Sequence, residues 1–248
     1  MPTVPKAPAS PFSDFQWAPN QAGRPDLYEL ENQATDPDGL VLAAMRRLAP
    51  WQARVLVDLG CGSGYWLPRY AAEAAGVIGV EPDPGLLRLA GRRLAARPDP
   101  RVRVLPGSAE HLPLADASVD VVHARFAYFW PPRCAAGLAE VLRVLRPGGT
   151  LVVVDNDHRS GDFAGLITAA PNEAQGRAET TDAWWARRGA QRVPVASRWQ
   201  FASRADFEAV LNLEFPAGVA GPWLARHPRA LGLSYGYVLF AVRRPGGR

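Results

Sequence analysis

The segment Asp58-Leu59-Gly60-Cys61-Gly62-Ser63-Gly64 carries residue types at a spacing that suits ligand chemistry. Glycines at every second position let the main chain turn sharply, with φ > 0 where required. They also remove the Cβ atoms that would keep a ligand away from backbone N–H groups. An acid, Glu81, follows 21 residues after Gly60. In a doubly wound sheet that spacing sets the end of the second strand beside the end of the first, where a carboxylate accepts hydrogen bonds from both hydroxyls of a ribose. A dinucleotide fingerprint needs glycine or alanine at position 65, and Tyr65 stands there instead. The pattern therefore points to a ribose-bearing ligand and away from one held through a pyrophosphate.

Short apolar runs separated by helical stripes are the elements that must position this loop. Val55-Leu56-Val57-Asp58-Leu59, Val77 to Glu81, Val102 to Leu105, Val119 to His123 and Thr150 to Asp155 read as five strands. They lack period-two alternation, as strands buried on both faces of a parallel sheet do. Between them, Leu86, Leu87, Ala90 and Leu94 form one helical stripe. Leu138, Val141, Leu142 and Leu145 form another, stopped by the turn Arg146-Pro147-Gly148-Gly149. An earlier helix is expected over Asp38 to Leu48, capped by Asp36 or Asp38. The alternation of strand and helix predicts a doubly wound α/β domain. Beyond Asp155 the rhythm breaks, and residues 158–196 read as an insertion on the substrate side with short helices. Arg198 to Phe201, a helix from Asp206 to Leu213 and a last strand from Ser234 to Val242, antiparallel at or near an edge, are expected to finish the sheet. Residues 1–22 hold five prolines and read as a flexible arm from which Phe12, Phe15 and Trp17 can tuck against the body; residues 23–248 form one domain.

The 248 residues are 48% hydrophobic and 21% charged, which excludes a disordered or fibrous chain. No apolar run approaches the roughly 20 residues a bilayer requires, and the first residues lack an apolar signal core, so a cytoplasmic protein without membrane contact is expected. Cys61 and Cys134 form no CxxC pair. The net charge of +4 comes from 27 arginines and one lysine spread along the chain, without the basic stripe and interleaved aromatics that nucleic acid demands.

The combination of Asp58, the G-x-G-x-G loop and Glu81, with Leu145-Arg146-Pro147-Gly148-Gly149-Thr150-Leu151 downstream, resembles the class I S-adenosylmethionine-dependent methyltransferases. Gly107 to Leu114 with Asp116 to Val122 looks like the type 11 branch, whose members include quinone-biosynthesis C-methyltransferases. The resemblance runs from about Arg54 to Asp157. It implies a Rossmann-like, mostly parallel seven-stranded sheet with an antiparallel C-terminal strand and a helical insertion after strand five. It also implies S-adenosyl-L-methionine as cofactor and a small-molecule methyl acceptor. Carried over position by position, Asp58, Gly60, Cys61, Gly62 and Gly64 hold the methionine part, Glu81 the ribose and Pro82 the edge of the adenine. Ser108 stands where family members often carry an aspartate for the adenine amino group. Ala109 supplies a backbone N–H to the ring, and Ala124 with Arg125 flanks the methionine end.

Methyl transfer needs no protein nucleophile, so the catalytic list is short: His123 and His158 as general bases, with Asp155 behind them. Tyr128, Trp130, Asn156, Trp184 and Trp185 are candidates for the wall of the acceptor pocket, or else for a core beneath the insertion. Asp155 and Asn156 offer two oxygen ligands, too few for Mg²⁺, and no metal is expected. Two other classes are open at this stage: a catalytically silent module that binds the same cofactor, and an NAD(P)-dependent oxidoreductase, against which Tyr65 argues. The acceptor, the attacked atom and the oligomeric state are not written in these residues.

Overall fold

The computed structural model describes residues 10–15, 18, 23–170 and 177–246. Strands β1 (Val55–Leu59), β2 (Gly76–Glu81), β3 (Val102–Pro106), β4 (Val119–Arg125), β5 (Leu145–Asn156), β6 (Gln191–Gln200) and β7 (Gly232–Arg243) form one sheet in the order β3-β2-β1-β4-β5-β7-β6. The first five run parallel, and β7 lies antiparallel between β5 and β6. The seven-stranded doubly wound architecture is as expected. The last strand is interior and β6 is the edge.

Strand residues alternate between two cores. Leu56, Val121 and Val152 face one; Val57, Val122 and Leu151 face the other; all six are fully buried, each burial stabilising by about 1.5–3 kcal/mol. Helices α1 (Pro25–Ala34), α2 (Leu40–Leu48), α3 (Leu67–Ala71), α6 (Gly161–Ala169), α8 (Arg204–Glu214) and α9 (Ala217–Arg226) cover the first core. Helices α5 (Ala135–Val144) and α7 (Arg177–Ala186) cover the second. Helix α4 (Pro84–Ala96) packs along β3 and β2.

Local chemistry sets the helix starts. Pro84 opens α4, and the Asp83 carboxylate accepts the Gly85 and Leu86 N–H groups at 2.6 and 3.0 Å. The Asp36 carboxylate accepts the Leu40, Val41 and Leu42 N–H groups at 2.9, 2.9 and 3.3 Å, which starts α2. The Ser203 hydroxyl accepts the Asp206 N–H at 3.1 Å and starts α8.

Two segments depart from expectation. The stretch 158–196 is not an insertion made of helices alone: after α6 and α7 it enters β6, whose burial alternates and whose Pro194 is tolerated near an edge. The Pro-rich arm is in part held to the body, since residues 10–15 pack on the loops after β2 and β3. Trp17 lies outside the described residues. Among the described residues, no helix is long and apolar enough to cross a membrane.

Candidate functional site

The chain winds from β1 outward through β2 to β3, then returns to β4 on the other side of β1. This reversal opens a crevice beyond the carboxyl ends of β1 and β4, where doubly wound sheets bind ligands. The glycine loop lines it. Gly60 and Cys61 donate N–H groups to the Val80 carbonyl at 2.8 and 3.1 Å, which ties the loop to β2. Gly62 has φ +57°, and a Cβ there would lie 2.6 Å from the Tyr28 hydroxyl. A side chain at this position meets both left-handed strain and a blocking group.

Two buried acids flank the loop. Glu81, 5% exposed, accepts the Gly62 N–H at 2.8 Å on one oxygen and the Asp83 N–H at 2.9 Å on the other. Each oxygen keeps a lone pair, so the carboxylate can also receive a pair of vicinal hydroxyls. Burial pushes this carboxyl up to about 7, although the two N–H groups oppose the rise. Asp58, 3% exposed, is likewise raised to about 7 by burial, with the positive charge of Arg125 pulling the other way. The Arg125 guanidinium lies 4.0 Å over the Trp66 ring and donates to the Met45 sulfur at 3.4 Å. Buried carboxyls of raised pKa invite a cation and hydroxyl donors.

Helix α1 covers the loop, a contribution that sequence reasoning missed. Glu29 accepts the Ser63 hydroxyl at 2.6 Å and pairs with Arg93 at 2.5 Å, while Asn32 accepts the Trp66 indole N–H at 3.2 Å. Tyr28 thereby stands against Gly62. The only early signal was Pro25 before a run of polar residues, which reads as solvent-facing because its polar face is turned to the crevice.

After β3, Ser108 is 1% exposed and its hydroxyl lies 3.4 Å from His111 Nδ1. Ala109 and Ala124 are buried beside it and at the end of β4. Cys61 is buried with its sulfur against Gly79, and burial holds the thiol well above its usual range, so it is packed and protonated.

At the end of β5, Asn156 is in register with Tyr237, and its side-chain oxygen accepts the Tyr235 hydroxyl. Phe126 lies 6.5 and 6.0 Å from the rings of Tyr235 and Tyr237. Phe163 stacks on Tyr235 at 3.9 Å. These rings belong to the first core: Phe163, Tyr235 and Tyr237 are 5%, 6% and 0% exposed, and Phe126 packs half-buried against them. Tyr235 and Tyr237 were visible as alternating residues of the last strand; what was not visible is that this strand sits next to β5.

The tryptophan pair lies elsewhere. Trp184 and Trp185 are 4% and 1% exposed in the second core, where Trp185 stacks on Phe240 at 5.4 Å. Tyr128 is spent on structure: its hydroxyl donates to Glu110 at 2.6 Å and accepts the Gly137 N–H at 3.1 Å. Trp130 is 40% exposed. Trp184 and Trp185 thus lie in a core, whereas Tyr128 is half-buried and Trp130 faces outward.

His123 is also displaced from the chemistry. It pairs in register with Asp58, so it points into the first core, fully buried with its ring 5.2 Å from Trp51 and 5.1 Å from Tyr70. Burial and the Arg125 charge push it down to about 3, which makes it neutral and a poor base. Asp155 and His158 flank Asn156 at the mouth of β5. Asp157, next to them, is held by Arg192 at 3.3 Å, and Arg192 pairs with Asp182 of α7 at 3.0 Å.

Residues 56–149 match the methyltransferase domain family. An uncharacterized methyltransferase of Mycobacterium ulcerans is 44% identical over 100 residues, which take in 40% of this chain and 38% of that protein. The match thus spans less than half the length of this curated relative. Among solved structures, the YcgJ protein of Bacillus subtilis superposes with a TM-score of 0.57 at 18% identity, over 83% of this chain and 98% of that one. An S-adenosylmethionine-dependent methyltransferase of Aquifex aeolicus gives a TM-score of 0.55 at 14% identity, over 88% and 96%. At such identities the superpositions speak for the fold. The family match falls on the part of the chain that holds β1 to β4 and the start of β5, with the glycine loop and its two acids inside it.

Proposed function

We propose that this chain transfers the methyl group of S-adenosyl-L-methionine to a small-molecule acceptor. The observation that carries the reading is the pairing, at one crevice, of a left-handed glycine loop with the buried acids Asp58 and Glu81. The cofactor has an ammonium, a ribose and a sulfonium, and this donor set fits it. Exposed main chain suits the amino-acid tail, Asp58 the ammonium, and the spare lone pairs of Glu81 the two ribose hydroxyls. When bound, the cofactor supplies an electrophilic methyl on a positively charged sulfur.

The residues of the chain then have three tasks. Asp58 would hold the ammonium of the ligand and Glu81 its ribose. Tyr28, with α1 behind it, closes the loop against water. Phe126 and Asn156, both half-buried, with the Tyr235 hydroxyl behind Asn156, would orient an acceptor for in-line attack. For an O–H or C–H acceptor, Asp155 or His158 would take the proton. An amine acceptor needs none.

Calorimetric titration with S-adenosylhomocysteine tests the reading. Binding by the wild-type chain is expected, with loss in Gly62→Arg and in Glu81→Ala. Equal binding by both variants and the wild type overturns it.

A further inference from the structure

The loops after β2 and β3 are bridged by a short piece of the N-terminal arm. The Ser10 hydroxyl donates to the Pro82 carbonyl at 3.2 Å, Phe12 lies 6.3 Å from the His111 ring, and one oxygen of Asp14 accepts the Glu110 N–H at 3.1 Å. The Asp14 side chain is only 5% exposed. Its other oxygen is fully buried and has no hydrogen-bond partner; the nearest cationic candidate, His111 Nδ1, is 3.9 Å away, beyond hydrogen-bond distance. A buried carboxylate oxygen without a donor is costly, which singles it out as an acceptor for a ligand group.

The ligand's geometry says which group. β3 lies next to β2, so the base of a ribose held by Glu81 would have room between Pro82 and the Ser108 loop, the two places that the arm spans. Adenine has one hydrogen-bond-donating edge, its exocyclic amine. Ser108 is a weak acceptor for that amine, and its hydroxyl already lies 3.4 Å from His111.

We propose that Asp14, supplied by the N-terminal arm, accepts the exocyclic amine of the adenine and sets the specificity of the site for an adenosyl ligand. This rests on the cofactor reading above. Because Asp14 also caps the Glu110 N–H, the test must separate recognition from structure. S-inosylhomocysteine, in which an oxo group replaces the amine, does so, with binding of both compounds measured by calorimetry on the full-length chain.

The wild type is expected to bind S-adenosylhomocysteine at least about tenfold more tightly than the inosyl compound, the scale of a hydrogen bond to a charged group. Asp14→Ala should lose about tenfold for the adenosyl compound and nothing for the inosyl one. Asp14→Asn should go further: its oxygen stays on the Glu110 N–H, its amide N–H₂ faces the base, and the preference swings toward the inosyl compound. Unchanged adenosyl affinity in Asp14→Ala, or an equal loss for both compounds in either variant, overturns the proposal while leaving the cofactor reading intact. A folded wild-type chain that binds neither compound ends both.

Discussion

Asp58→Asn isolates the electrostatic cost of the crevice. In the folded chain the Asp58 carboxyl sits at about 7, against about 3.9 in an unfolded one. Between those values the folded state binds the extra proton. The stabilisation from this group is therefore complete below the unfolded value and is lost as pH rises through 7. The ceiling is about 4 kcal/mol, and the share lost between about pH 5 and pH 8 is about 2–3 kcal/mol. Asparagine has the same shape and does not titrate. Urea unfolding of both chains across that range should show the wild type losing about 2–3 kcal/mol more than the variant. Parallel curves, or a wild type that gains on the variant as pH rises, would refute the burial argument. The same sign governs the ligand: an ammonium on Asp58 requires the carboxylate, so S-adenosylhomocysteine affinity should fall by up to about tenfold per pH unit below 7.

Gly62→Ala should cost about 1–2 kcal/mol for its left-handed φ, with a further cost from the Tyr28 hydroxyl, 2.6 Å from the new Cβ. Adding Tyr28→Phe should recover the second part only, and strict additivity in a double-mutant cycle would contradict the contact. Cys61→Ala should leave S-adenosylhomocysteine affinity unchanged and make Gly79→Ala easier to tolerate, because the added Cβ otherwise meets the sulfur at 2.7 Å; weaker binding in Cys61→Ala argues against a packing role. Trp185→Ala should cost about 3–5 kcal/mol in urea unfolding with cofactor affinity intact, and a variant of normal stability but impaired acceptor turnover would return it to the pocket. His123→Phe should retain turnover within a few-fold, whereas a loss beyond about a hundredfold would restore a role at the methyl group.

The half of the fold around the glycine loop is legible because β1, β2, β4 and the second half of β5 are buried on both faces and read as unbroken apolar runs, whereas β3, at the sheet's other edge, is only partly buried; Gly62 and Glu81 owe their places to local backbone geometry and strand ends. What escaped had its determinants elsewhere in the chain. Helix α1 turns Glu29, Asn32 and Tyr28 toward the loop, so its polar face looks like a solvated one. Strand β6 lies at an edge, where exposed Gln191 and Gln200 bracket Pro194 and weaken any strand pattern. His123 was assigned to the crevice because it lies near the end of β4, but the pleat sends it to the Asp58 side and into the core. Aromatic residues give no direction of their own: Trp185 is buried in the second core and Tyr235 in the first, and only the neighbours they meet decide which.

The placement of β7 bears on how the molecule is made. Its residues Gly232–Arg243 pair with β5 on one side and β6 on the other, so the slot between two earlier strands is filled by the last strand to leave the ribosome. Until then a nascent chain presents the unpaired edge of β5, with Val152, Val153 and Val154 in a row, to any strand it encounters. Translation that stalls before Gly232 leaves that template open, and such truncated products are a ready source of self-association during synthesis.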